Sequence, residues 1–115
     1  MIRYIFIASP YTKPVPNHNT HKSIMFADDL IDHGFTPFVP LLTHFWDTVS
    51  PHDYEEWLEY DKAWLERCDA VIRLDGESSG ADREVVHAKS KGIPVVYSLQ
   101  ELLDLRDSVK SKFAP

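Results

Sequence analysis

Cysteine is almost absent from this sequence. Cys68 is the only one, so no internal disulfide can form, and such usage suits a reducing, cytoplasmic setting. Glycine is scarce too, four residues in 115. Neither Gly76 nor Gly80 falls in a dinucleotide fingerprint or a P-loop, so nothing implies NAD, ATP or any other cofactor. No apolar run approaches the roughly 18 residues that span a bilayer, and no membrane partner is expected. The opening Met1-Ile2-Arg3-Tyr4-Ile5 reads as a first strand, since it lacks the long apolar stretch of a signal peptide. Basic residues are outnumbered, 12 Lys and Arg against 18 Asp and Glu for a net charge of −6. That balance argues against a nucleic acid polymer as the main ligand. It leaves room for one small anion, because a helix N-terminus can bind a phosphate without a lysine.

What the sequence does have is the composition of one compact soluble domain, 43% hydrophobic and 26% charged, long enough to bury a core. Tyr4 to Ala8 is nearly all apolar, as in a strand buried on both faces. Ser9-Pro10-Tyr11 ends it, and Lys13 to Asn19 reads as a loop with two prolines. A helix follows from about Thr20 to His33, closed by Gly34. Phe35 to Val39 is a second strand, and Leu41 to Pro51 looks irregular, a polar and aromatic candidate for a ligand-site wall. A helix is expected over His52 to Arg67, a strand over Ala70 to Leu74 and a helix over Ala81 to Lys91. Ile93 to Tyr97 is a fourth strand, and Ser98 with Glu101 forms a capping box for a last helix. The tail from Lys110 to Pro115 reads as frayed. The alternation predicts an α/β fold, a Rossmann-like or flavodoxin-like three-layer sandwich on a parallel sheet of four to five strands. Ligands of such sheets bind beyond the carboxyl ends of the strands, which puts Ser9 to Tyr11, Leu41 to Asp47 and Asp75 to Gly80 on one rim.

Two carboxylates stand where apolar residues are expected. Asp61 lies in the stripe formed by Tyr54, Trp57, Leu58, Trp64 and Leu65, and desolvation there costs several kcal/mol (roughly) unless something pairs with it. It is either a structural aspartate held by a partner or a proton donor with a raised pKa facing a pocket. Glu84 sits beside Val85 on the inner face marked by Ala81, Val85 and Ala88, in or next to the first helical turn. There the macrodipole favours the ionised form. It is either a dipole-complementing glutamate or a nucleophile suited to an anomeric carbon. His44, Asp47 and His52 match no standard zinc spacing, so no metal is assigned and His44 is read as a base- or sugar-contacting residue. Cys68 reads as inert core and Asp69 as a structural residue at a helix–strand junction.

The segments Phe6-Ile7-Ala8-Ser9-Pro10-Tyr11, Cys68-Asp69-Ala70-Val71-Ile72, Ser78-Ser79-Gly80-Ala81-Asp82-Arg83-Glu84 and Gly92-Ile93-Pro94-Val95 together resemble the nucleoside 2-deoxyribosyltransferase-like superfamily. That group includes deoxyribosyltransferases and deoxynucleoside 5′-monophosphate N-hydrolases, and the resemblance covers most of residues 4 to 98. It implies a double displacement in which Glu84 attacks C1′ of a nucleoside or nucleotide. Asp61, or less readily Asp82, protonates or orients the departing base. Ser9, Pro10 and Tyr11 contact the sugar, while Ser78, Ser79 and Gly80 offer donors to a sugar hydroxyl or 5′-phosphate. Phe6 stands where family members often carry a tyrosine bonded to the catalytic glutamate, and Pro10 where the monophosphate hydrolases carry a phosphate-binding serine. The other reading is a nucleotide-binding sensor or sequestering protein that keeps the fold without turnover. Trp46, Trp57 and Trp64 with Phe45 and Tyr54 exceed what a small domain easily hides. The resemblance likewise implies a homo-oligomer, dimer or larger, that buries part of the helix from His52 to Arg67.

Overall fold

In a computed structural model the chain folds as an α/β sandwich; residues 1–11 and 16–113 are described, with residues 17 and 111–113 as backbone alone. The first strand, β1, is Tyr4–Ala8. Helix α1 (Pro16–Asp32) leads to β2 (Thr36–Phe38), and a 3-10 turn at Pro40–Leu42 opens into α2 (Thr43–Val49). Helix α3 (Tyr54–Leu65), β3 (Ala70–Arg73), α4 (Ser79–Ser90), β4 (Val95–Val96) and α5 (Leu99–Phe113) complete the order. The sheet has four parallel strands in the order β2-β1-β3-β4. Among the described residues no helix is long and apolar enough to cross a membrane.

Period-two alternation along the strands divides the core. Ile5 and Ile7 of β1 pack with Ala27, Leu30, Phe35 and Leu102 on the side covered by α1 and α5. Phe6 and Ala8 turn the other way, to Leu65, Ala81 and Ala88 of α3 and α4. Helices therefore cover both faces, which is why Ile5 to Ala8 of β1 and Ala70 to Ile72 of β3 are apolar. Phe6 stacks on Phe38, and Phe38 on Trp64, with centroids 5.7 and 5.6 Å apart. Asp69 ties the strand starts together, its Oδ2 accepting from the backbone N–H groups of Arg3 (2.9 Å) and Tyr4 (2.8 Å). That is the structural role expected of it.

Several boundaries differ from the sequence reading, with α3 and β4 shorter than expected. Residues 41–49 are ordered into the 3-10 turn and α2, not irregular, with Thr43 Oγ1 and Thr48 Oγ1 donating to the carbonyl oxygens of Pro40 and Phe45. Helix α1 begins at Pro16, a residue tolerated in a first turn because it needs no N–H partner there. The rest of the expected loop, residues 13–15, lies outside the described residues. Helix α4 starts at Ser79, two residues early, because Ser78 Oγ caps it by accepting from Ala81 N at 3.0 Å. Helix α5 continues to Phe113, so the expected fraying does not begin at Lys110; residues 114–115 lie outside those described. Its N-terminus has half a capping box. Glu101 N–H donates to Ser98 Oγ at 3.1 Å, while the Glu101 carboxylate meets the Ser98 hydroxyl at 3.4 Å.

Candidate active site

The strand order changes direction between β1 and β3, since the chain runs outward from β1 to β2 and then returns to place β3 on the other side. Such a switch point leaves a crevice at the carboxyl ends of the two strands. Here it is a cavity of about 430 Å³, a size that suits a small organic ligand. Ser9 and Tyr11 enter it from the end of β1, Ser78, Ser79 and Gly80 from the start of α4, and His44 from α2. Asp61 and Glu84 both line it. Eight of the ten residues singled out from sequence thus share one cavity, and two do not. Asp82 points away, 70% exposed and paired with Arg73 Nη2 at 3.1 Å. Pro10 lies against Gly76, where φ is +120° and an added Cβ would stand 2.9 Å from the proline Cγ, so no side chain fits.

Both carboxylates are buried, Asp61 8% and Glu84 6% exposed. Among the described residues neither makes an ion pair, and Asp61 Oδ1 has no hydrogen-bond partner. Burial pushes the Asp61 carboxyl up to about 7. Burial, followed by the charge of Asp61, pushes Glu84 up to about 8 against the opposing pull of Arg73 and Lys62. The expectation that Glu84 would be held ionised by its helix is therefore corrected. Because α4 starts at Ser79, Glu84 is its sixth residue, past the first turn where the dipole and free N–H groups act. Asp82 occupies that turn instead. The raised Asp61 agrees with the sequence reading. Burial thus raises both carboxyls toward neutral pH, the range suited to proton transfer.

The walls are aromatic. Tyr11 and His44 lie 5.3 Å apart at the ring centroids, with the phenol hydroxyl bonded to His44 Nδ1. Burial, then the charge of Asp47, raises the Tyr11 pKa. Trp57 lines the cavity beside Tyr54 and His52, its ring edge-on to His52 at 4.9 Å. Asp47 ties this wall together. Its Oδ1 accepts from Trp57 Nε1 at 2.7 Å and from His52 N at 2.8 Å, and those bonds hold its carboxyl below the usual range. The Tyr54 hydroxyl lies so close over Gly80 that a Cβ there would meet it at 2.8 Å. Asp53 caps α3 by accepting from Glu56 N at 2.9 Å, which fixes where Tyr54 and Trp57 emerge. The sequence reading gave Tyr54 and Trp57 to an oligomer contact and did not single them out as wall residues. The signal was present, because Trp57 precedes Asp61 by four residues and Tyr54 by seven, all on one helical face. Cys68 stands apart, its thiol pushed up to about 11 by burial and by Asp69, and its S–H directed at Trp64 O at 3.6 Å.

Residues 3–98 match a family described as a domain of unknown function, DUF7768. The chain belongs to that family. No curated protein matches it. The DUF7768 match runs from the start of β1 to the residue before α5, so it takes in every element that contributes to the cavity.

Proposed function

We propose that this DUF7768 protein cleaves or transfers the N-glycosidic bond of a nucleoside or nucleotide, with Glu84 as nucleophile and Asp61 as general acid. The observation that carries this reading is the pair of buried carboxyls, without ion-pair partners among the described residues, in one aromatic-walled cavity. The resemblance of residues 78–84 and the first strand to deoxyribosyltransferase-like enzymes supports it. In the first step a Glu84 oxygen bonds C1′ as the C1′–N bond breaks. The bonding pair leaves on the base nitrogen, which takes the Asp61 proton directly or at another ring atom. In the second, water or an acceptor base gives a proton to the Asp61 carboxylate and attacks C1′, releasing Glu84. Trp57, Tyr54 and Tyr11 offer faces and edges against which a base can stack.

The reactive form has Glu84 ionised and Asp61 protonated, with burial raising both carboxyls. Positive charge developing at C1′ stabilises that form at the moment of reaction. The free thiol fits a cytoplasmic setting. The exposed Phe45, Trp46, Val49, Tyr54 and Trp64 along α2 and α3 favour a homo-oligomer that covers this face.

Chromatography of reactions with a panel of nucleosides and nucleotides tests the proposal. Base release by the native chain and its loss in Glu84→Gln are expected. Tight binding without release would leave a sensor or sequestering protein; neither binding nor release would remove the nucleoside reading.

A further inference from the structure

We propose that Arg73 is a positioning residue for Glu84: it braces the turn from which α4 starts and sets a buried cation beneath the helix face that carries the carboxyl. The inference rests on the reading of Glu84 as the nucleophile and adds the residue that prepares it.

The placement follows from the sheet. Side chains alternate along a strand, so Arg73 shares the side of β3 taken by Val71, which packs in one cluster with Ala81 and Ala88 of α4. Glu84 stands between those two alanines on the same buried face of the helix. Arg73 is itself buried, 9% exposed, and it spans the chain between β3 and α4. Its Nη1 donates to Leu74 O, and its Nη2 donates to Gly76 O at 2.8 Å and to Asp82 Oδ1 at 3.1 Å. These bonds hold the turn that leads to Ser78, whose hydroxyl caps the helix. They fix where α4 starts and so where Glu84 meets the cavity.

Bracing two carbonyl oxygens requires only a neutral donor, whereas a cation buried at a strand end is costly unless a negative charge answers it. Asp82 answers it in part. That carboxylate is 70% exposed and the Arg73 side chain 10%, so water screens the one while the fold preserves the field of the other. Among the described residues the buried carboxyls are those of Asp61 and Glu84, and Glu84 belongs to the helix that Arg73 braces. The charged groups acting on Glu84 are Asp61 and Lys62 from α3 and Arg73 from β3; β1 brings Phe6 and Ala8 to this side. Lys62 is turned to Glu59 of its own helix at 3.4 Å. Burial and Asp61 push the Glu84 carboxyl up, and Arg73 is the larger of the two opposing pulls. Arg73 thereby favours the ionised carboxyl, the form that attacks C1′.

The test is an NMR titration of the whole chain with glutamate labelled at its carboxyl carbon, the Glu84 signal being identified by its loss in Glu84→Gln. Arg73→Gln keeps a donor for the turn and removes the charge; Arg73→Lys keeps a charge and loses the fork. Loss of the cation disfavours the carboxylate, so Arg73→Gln is expected to move the Glu84 midpoint up by about one pH unit, roughly tenfold less carboxylate at a given pH. Arg73→Lys is expected to move it by less than half as much. The rising limb of kcat/KM against pH, measured on a cleaved nucleoside or nucleotide, should move in step. An unchanged midpoint in Arg73→Gln would overturn the inference, and so would equal shifts in the two variants, since packing alone would then account for them. Should Arg73→Gln fail to fold, Asp82→Asn at its exposed site leaves the guanidinium unopposed and should move the midpoint down; a midpoint at or above the native one would overturn the inference. Shifted midpoints without base release by the native chain would instead bring down the nucleophile reading, and the inference with it.

Discussion

At the scale of single residues, Asp61 and Glu84 carry the most distinctive chemistry. Sequence placed both on inner helical faces, and the structure brings them to one cavity. Their protonation was only half legible, because a one-residue periodicity cannot show that Ser78 starts α4 early and leaves Glu84 beyond the reach of the helix end. Both carboxyls bind protons more tightly folded than unfolded, from 3.8 to about 7 for Asp61 and from 4.5 to about 8 for Glu84. Between those limits the folded chain holds more protons than the unfolded one. The contribution to stability is therefore fully present below about pH 4 and is lost as pH rises through 7 to 8. Urea titrations at pH 5, 7 and 9 should show stability falling steadily as pH rises. Asp61→Asn and Glu84→Gln should each flatten that slope; a native slope unchanged in both variants would remove the burial argument. In catalysis, Asp61→Asn should slow release of poor leaving groups about 100-fold or more and of good ones less. Equal slowing of both, measured as kcat across a leaving-group series, would assign Asp61 a different role.

At the scale of elements, the sheet was readable because buried parallel strands are largely apolar runs between turn residues, as Tyr4 to Ala8 and Ala70 to Ile72 are. Helix α2 was not, since Thr43, His44, Trp46 and Asp47 carry no apolar period and none of its residues is buried. Its order comes from tertiary anchoring, chiefly Asp47 reaching Trp57 and His52 on the far side of Pro51. Removing that anchor should loosen the aromatic wall without touching the carboxyl pair. Asp47→Ala is expected to raise KM for a cleaved nucleoside up to about tenfold with little change in kcat, and Asp47→Asn, which keeps an accepting oxygen, to recover most of the loss. A fall in kcat with KM unchanged would contradict the positioning role. Ser78→Ala should cost about 1 kcal/mol by removing the α4 cap, read as a lower urea midpoint.

At the scale of the whole molecule, strand order places the switch point between β1 and β3, and Ser9 and Tyr11 after β1, the turn after β3, and α2 and α3 line a cavity over it. The rim expected from sequence, Ser9 to Tyr11, Leu41 to Asp47 and Asp75 to Gly80, is largely the rim observed. The wall from α3 was misassigned because a pocket-facing aromatic and a core-facing one share the same helical spacing. The apolar face of α2 and α3, where Phe45 is 79% and Val49 83% exposed, leads to a prediction of assembly. Light scattering at high micromolar concentration should give a dimer or larger species, and a monomer of 13.3 kDa would refute it. The central claim, that Glu84 bonds to the sugar, is tested most directly by the intact mass of the whole chain after rapid acid quench during turnover of a cleaved nucleoside. The account predicts a species heavier by one bound glycosyl residue, mapped to Glu84 by peptide sequencing and absent from Glu84→Gln. Base release that persists in Glu84→Gln, with no such species in the native chain, would contradict it.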